Sequence, residues 1–190
     1  MGIKVKYLDF FFKSIHLDGI RPPYKDVTMC ELGNQRMKYD DTQLDHYVRE
    51  KTGLYGQQLP RSGKEFFTQL GFIHTSIDIN GKDGALALDL CAPLPGKMKG
   101  QFTIVTNFGT TEHVDDQTVV FSNIAMLLEK NGVVVHVVPA KDGLLKNHGM
   151  YQYATDFFAF QVGRYGYEYI LAPLERKEVP GCITVSMRKL

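Results

Sequence analysis

The sequence predicts an α/β protein, with a mostly parallel sheet, helices on both faces and a closing antiparallel hairpin. Two observations carry that expectation. The first is residues 101–139. Residues 102–106, Phe-Thr-Ile-Val-Thr, are a short β-branched run suited to a buried strand. Val120, Ile124, Leu127 and Leu128 then repeat at helical spacing. Residues 133–138, Val-Val-Val-His-Val-Val, are apolar on both faces except at His136, as in a central strand covered from both sides. Together these make a strand–helix–strand unit, and ligands bind at the carboxyl ends of such strands, here residues 107–113 and just after Pro139. The second observation is at the C terminus. Residues 167–174 and 182–187 both read as strands, and residues 175–181 are too few for a crossover helix, so the last strand returns antiparallel.

The other elements are taken in chain order. Residues 1–20 hold Tyr7, Leu8, Phe10, Phe11, Phe12 and Ile15, an apolar but poorly periodic cluster read as a short helix. Arg21-Pro22-Pro23 breaks it. Residues 1–25 are therefore set apart as an N-terminal helical strap or lid, and residues 26–190 as the main domain. Residues 27–32 form the first strand, which ends in Glu31-Leu32-Gly33-Asn34-Gln35. Thr42 with Asp45, and Ser62 with Glu65, have the spacing of capping boxes and open two helices, stopped at Gly53 and Gly71. Residues 72–77 form the second strand, ending at Asp78. The turn Asn80-Gly81-Lys82-Asp83-Gly84 leads to a third strand at residues 85–90, which carries Asp89. Asp115 or Asp116 caps the helix around Val120, and Asn131-Gly132 ends it. An aromatic helix is expected at residues 150–164.

Composition narrows the function. The 190 residues are 44% hydrophobic, enough for one domain with a full core. A net charge of +1 without runs of Lys or Arg speaks against nucleic acid or a membrane surface as partner. No apolar run reaches the length of a membrane span, and residues 1–13 lack the pattern of a signal peptide. Cys30, Cys91 and Cys182 are too scattered for a disulfide set or a metal spacing, so a cytoplasmic location is expected. His16, His46 and His74 form no metal set, and no metal is expected.

This order of elements resembles the class I S-adenosylmethionine-dependent methyltransferases over residues 26–190. Glu31-Leu32-Gly33-Asn34 stands where that family has its acidic, glycine-rich first loop. Ile77-Asp78 stands where an acidic residue ends the second strand, and Leu88-Asp89-Leu90 where another marks the adenine side. Asn107, Gly109 and Glu112-His113 look like the fourth-strand motif and the start of its helix. The resemblance implies a seven-stranded Rossmann-like sheet and S-adenosylmethionine as cofactor. By position, Asp78 would hold the ribose hydroxyls, since a carboxylate accepts two hydrogen bonds and donates none. Asp89 and Leu90 would flank the adenine. Glu31, Gly33 and Asn34 would shape the methionine end, and Asn107, Phe108 and Gly109 would lie beneath the sulfonium.

His113 and His148 are the candidate general bases, because a neutral imidazole accepts a proton near pH 7. Tyr151 and Tyr153 are candidates for an acceptor pocket. Methyl transfer to a small molecule by direct displacement is the leading expectation. Gln35 and Met37, standing where the family has further glycines, support a second reading, a catalytically inactive methyltransferase-like binding or scaffold module. A nicotinamide-dependent oxidoreductase fits less well, since the rest of the glycine fingerprint after Gly33 is missing.

Overall fold

The computed structural model describes residues 2–39, 42–141, 143, 145, 148–175 and 179–190. Its centre is a six-stranded sheet of β2 (Thr28–Leu32), β4 (Ile73–Ile77), β5 (Phe102–Phe108), β6 (Leu128–Pro139), β7 (Tyr167–Glu175) and β8 (Cys182–Lys189), in the order β4-β2-β5-β6-β8-β7. The first four run parallel. Among the described residues, β8 alone runs opposite to the rest of the sheet and pairs antiparallel with both β6 and β7. Two short strands, β1 (Gly2–Ile3) and β3 (Arg36–Met37), pair in parallel outside this sheet.

The helices are α1 (Val5–Leu17), α2 (Thr42–Thr52), α3 (Gly63–Gln69), α4 (Gln117–Leu127) and α5 (Thr155–Tyr165). Strand β6 shows why both sheet faces must be covered. Val134 and Val138 join one core with Val120, Ile124 and Phe158, whereas Val133, Val135 and Val137 join the other with Phe11, Phe67 and Phe108. Each fully buried Val is worth roughly 1.5–3 kcal/mol of apolar burial. The N-terminal segment belongs to the second core. Phe11 of α1 is fully buried, with ring centroids 5.2 Å from Phe67 and 6.4 Å from Phe108.

The capping expected from the sequence forms at two helices. Ser62 accepts from the Glu65 amide (3.2 Å) ahead of α3, and Asp116 Oδ1 accepts from the Val119 amide (2.9 Å) ahead of α4.

Three expectations need correction. The sheet has six strands among the described residues, not seven, because residues 85–90 form no strand. Leu86 makes one parallel bridge to Ile77. The chain then turns away, with Leu88 N donating to Leu86 O (2.9 Å), so further pairing along the edge is lost. The helix before β6 ends at Leu127, not at Asn131-Gly132. Leu128 is buried and paired with Phe102 in the sheet, and Asn131, at φ 64°, forms an irregularity within β6. The aromatic helix begins at Thr155, because the preceding backbone bonds elsewhere. Met150 and Tyr151 donate to the Glu112 carbonyl (2.7 and 3.1 Å), and Tyr153 donates to the Pro139 carbonyl (2.9 Å).

Candidate active site

The carboxyl ends of β2, β4 and β5 open onto a cavity of about 500 Å³. Gly33, Asn34, Asp78, Asp89, Leu90 and Gly109 line it, with Gln35, Thr110 and His113. The walls are built from turns whose polar groups bond locally. Asp78 Oδ2 accepts from the Asn34 amide (2.8 Å), and Oδ1 from the Asn80 amide (3.0 Å). Each oxygen keeps a lone pair for a ligand. Asp89 Oδ1 accepts from the Cys91 amide (2.8 Å). Asn34 Nδ2 donates to the Lys82 carbonyl and to Asp83 Oδ2, both at 2.9 Å. Thus the first loop is tied to the end of β4 and to the turn after it.

Gly33 has φ +78°, and a Cβ there would lie 2.6 Å from Thr110 Oγ1 and 2.9 Å from Gln35 Nε2. Only glycine fits where the β2 and β5 loops meet. Thr110 joins the two loops, since its Oγ1 donates to the Leu32 carbonyl (2.6 Å) and accepts from Gln35 Nε2 (3.2 Å). Gln35 is therefore folded back against the wall, and Met37 is buried in the core on the other side of the sheet.

Other residues singled out in the sequence lie away from the cavity wall. Glu31 is fully buried, with its carboxylate 3.5 Å from His74 Nε2 and close under Gly63 at the start of α3. Burial pushes its pKa up. Phe108 packs in the core against Tyr7 and Phe11. Asn107 is fully buried and braces the β5 loop. Its Oδ1 accepts from the amides of Thr110 and Thr111 (3.2 Å each), and its Nδ2 donates to Thr111 Oγ1 (2.8 Å). Its Nδ2 also lies 3.0 Å from His136 Nδ1. Burial pushes the His136 pKa down to about 3, so the ring is neutral at pH 7. The donor at Asn107 makes Nδ1 the acceptor and puts the ring proton on Nε2.

Beside the cavity, the turn at Thr111–His113 brings a second group together. Glu112 is fully buried, and its carboxylate has no hydrogen-bond partner among the described residues. Burial raises its pKa to about 7. His113 Nε2 and His148 Nε2 each lie 3.9 Å from Glu112 Oε1. Burial, and then the His148 imidazole, hold the His113 pKa below its usual value. Tyr153 fastens this turn, donating to Gln117 Oε1 (2.8 Å) and sharing a hydrogen bond with Thr111 Oγ1 (2.9 Å). The Tyr151 hydroxyl donates to the Asp115 carbonyl (2.7 Å). The sequence alone does not mark Glu112 as a site residue, because an acid near a helix start has a bland explanation. Its adjacency to His113 is the one signal the sequence offers.

Comparison with known proteins places this geometry in a class. A family model described as a methyltransferase domain matches residues 34–167, and the chain belongs to that family. A comparison with curated proteins finds no match. Among solved structures, a putative S-adenosylmethionine-dependent methyltransferase from Listeria monocytogenes aligns with TM-score 0.57 at 9% identity, covering 96% of this chain and 99% of that one. One from Aquifex aeolicus aligns with TM-score 0.55 at 11% identity, covering 98% and 92%. The 1,6-didemethyltoxoflavin-N1-methyltransferase of Burkholderia thailandensis, solved with S-adenosylhomocysteine, aligns with TM-score 0.55 at 14% identity, covering 100% and 91%. The CurJ carbon methyltransferase aligns with TM-score 0.53 at 9% identity, and this chain spans 54% of its length. The chain thus belongs to a methyltransferase-domain family and shares the fold of S-adenosylmethionine-dependent methyltransferases.

The residues present fit that cofactor. Asn34 and Gln35 line the cavity, and their side-chain oxygens, buried behind its surface, have no hydrogen-bond partner among the described residues. With Asp78 and Asp89 they make a wall of acceptors. S-adenosylmethionine brings donors: an ammonium group, two ribose hydroxyls and the adenine amine.

Proposed function

We propose that the protein transfers a methyl group to a small-molecule acceptor by direct displacement, with the methyl donor in the cavity of Gly33, Asp78 and Asp89. The wall of hydrogen-bond acceptors carries this reading. Asp78 holds the ribose hydroxyls with the lone pairs its backbone contacts leave free. Asp89 and Leu90 flank the adenine. Gly33, Asn34 and the free oxygen of Gln35 receive the methionine end. Gly109, with Thr110 and His113 beside it, lies beneath the sulfonium. The cofactor supplies a methyl on a positively charged sulfur, already activated for attack by a lone pair of the acceptor. The chain's work is to align the acceptor, exclude water and, for a protonated oxygen or nitrogen, receive a proton. Glu112, His113 and His148 are the groups placed for that last task. A small-molecule acceptor suits the modest cavity volume.

Calorimetry with S-adenosylmethionine tests the reading on the wild type and on Asp78→Ala. Removing one charge-assisted bond costs about 1.5–3 kcal/mol, so the variant should bind at least about tenfold more weakly. The Asn34 and Asn80 amides also lose their acceptor, so stability should fall as well, and affinity is compared at a temperature where both proteins are folded. Absence of wild-type binding at millimolar cofactor would favour the inactive scaffold.

A further inference from the structure

We infer that Glu112, His113 and His148 form a binding site for a divalent transition-metal ion of the zinc class, at the acceptor side of the cavity. One ligand atom from each residue lies within 4.8 Å of the other two. A carboxylate with two imidazoles is a donor set that such ions favour, and three protein ligands leave a position open. In a tetrahedral zinc site, neighbouring nitrogen and oxygen ligands sit roughly 3.3 Å apart, given bond lengths of about 2.0–2.1 Å. The two Glu112–imidazole separations of 3.9 Å exceed this by an amount that side-chain rotation removes.

An ordinary ion-pair cluster accounts for the arrangement poorly. At 3.9 Å neither imidazole hydrogen-bonds the carboxylate. Both are aimed at the same oxygen, with ring centroids 5.1 Å apart. The Glu112 oxygens and His148 Nε2 are buried atoms without partners among the described residues. Leaving such groups unpaired is costly unless a ligand satisfies them. The backbone holds them there. The Met150 and Tyr151 amides clamp the Glu112 carbonyl and keep His148 across from it. Gly149, at φ +79°, lets the chain pass so close that a Cβ would lie 2.8 Å from that carbonyl oxygen.

His113 also lines the cavity, so the site adjoins the donor site. That position matters for catalysis only if the methyltransferase reading holds; there the bound ion would take over from the three side chains the task of lowering the acceptor's pKa, and would select acceptors with an oxygen able to bind it. The site itself does not depend on that reading.

The test is metal binding by full-length protein stripped with chelator. Cobalt(II) is titrated and its visible absorption followed, and zinc is then added to displace it. One saturable equivalent is expected, and His113→Ala and His148→Ala should each bind at least about 100-fold more weakly. Both remove partly exposed imidazoles, and thermal unfolding without metal checks that the variants fold. No saturable binding below millimolar metal, or His148→Ala binding like the wild type, overturns the proposal. S-adenosylmethionine calorimetry on the same stripped sample separates the two ideas, since loss of metal binding with cofactor binding intact removes only this one.

Discussion

The two halves of the crevice solve opposite problems. At the end of β4 and in the segment after it, Asp78 is partly exposed and Asp89 exposed, and each has a local job. Asp78 and Asp89 accept from nearby amides and so hold the turns that present them. At the ends of β5 and β6 the polar groups are buried, and they divide into a satisfied layer and an unsatisfied one. Asn107, Thr111 and Tyr153 bond one another, whereas the Glu112 carboxylate and His148 Nε2 above them have no partner among the described residues. The half around Asp78 and Asp89, the proposed donor half, is therefore an acceptor surface that turn chemistry makes. The other half is an unsatisfied polar pocket that the core beneath it must hold in shape.

The sharpest way to break that contrast is Asn107→Ala. It leaves the Thr110 and Thr111 amides and His136 Nδ1 without a partner, whereas Thr111 Oγ1 keeps Tyr153. At about 1–3 kcal/mol for each buried group left unpaired, the fold should lose about 3 kcal/mol in urea unfolding. Asn107→Asp keeps the acceptor and should recover part of this. If Asn107→Ala costs under about 1 kcal/mol, the pocket is not held from below.

A smaller effect comes from acid. His136 stacks on Phe121 in the same layer, with a pKa of about 3 in the fold against an ordinary 6.5. Between those values the unfolded chain binds the extra proton, so this contribution to stability is present above pH 6.5 and is lost as the pH falls. The slope approaches about 1.4 kcal/mol per pH unit. Between about pH 6.5 and 4.5 the wild type should lose about 2 kcal/mol more than His136→Gln. Equal losses would mean that His136 is not held neutral by the core.

The smallest effect belongs to the donor half. Asp89 is exposed and holds one amide, so Asp89→Ala should change stability by less than about 1 kcal/mol while weakening cofactor binding measured by calorimetry. A large stability loss would make the donor half resemble the other and erase the distinction.

Part of the cavity wall was legible in the sequence, because its parts are local. Gly33, Asp78 and Asp89 each lie at the end of an apolar run, and a strand end before a polar turn is a short-range pattern. The unpaired edge at residues 85–90 was not legible, since an edge strand's pairing depends on the neighbouring backbone rather than on its own residues. Glu31 reads as a site residue but is fully buried beside His74, 43 positions along the chain.

By itself the sequence determined the parallel sheet with its antiparallel finish, through the two-faced apolar run at residues 133–138 and the short connection before Cys182. It determined the helix caps at Ser62 and at Asp115 or Asp116, because a cap needs only the next turn of chain, and the structure selects Asp116. Only the tertiary structure decided which polar residues meet. Glu112 and His148 are 36 positions apart. They face each other because the Glu112 carbonyl takes the Met150 and Tyr151 amides and Gly149 leaves room for the approach. Contacts of that kind depend on backbone closure between separate strand ends, which no local pattern of side chains encodes.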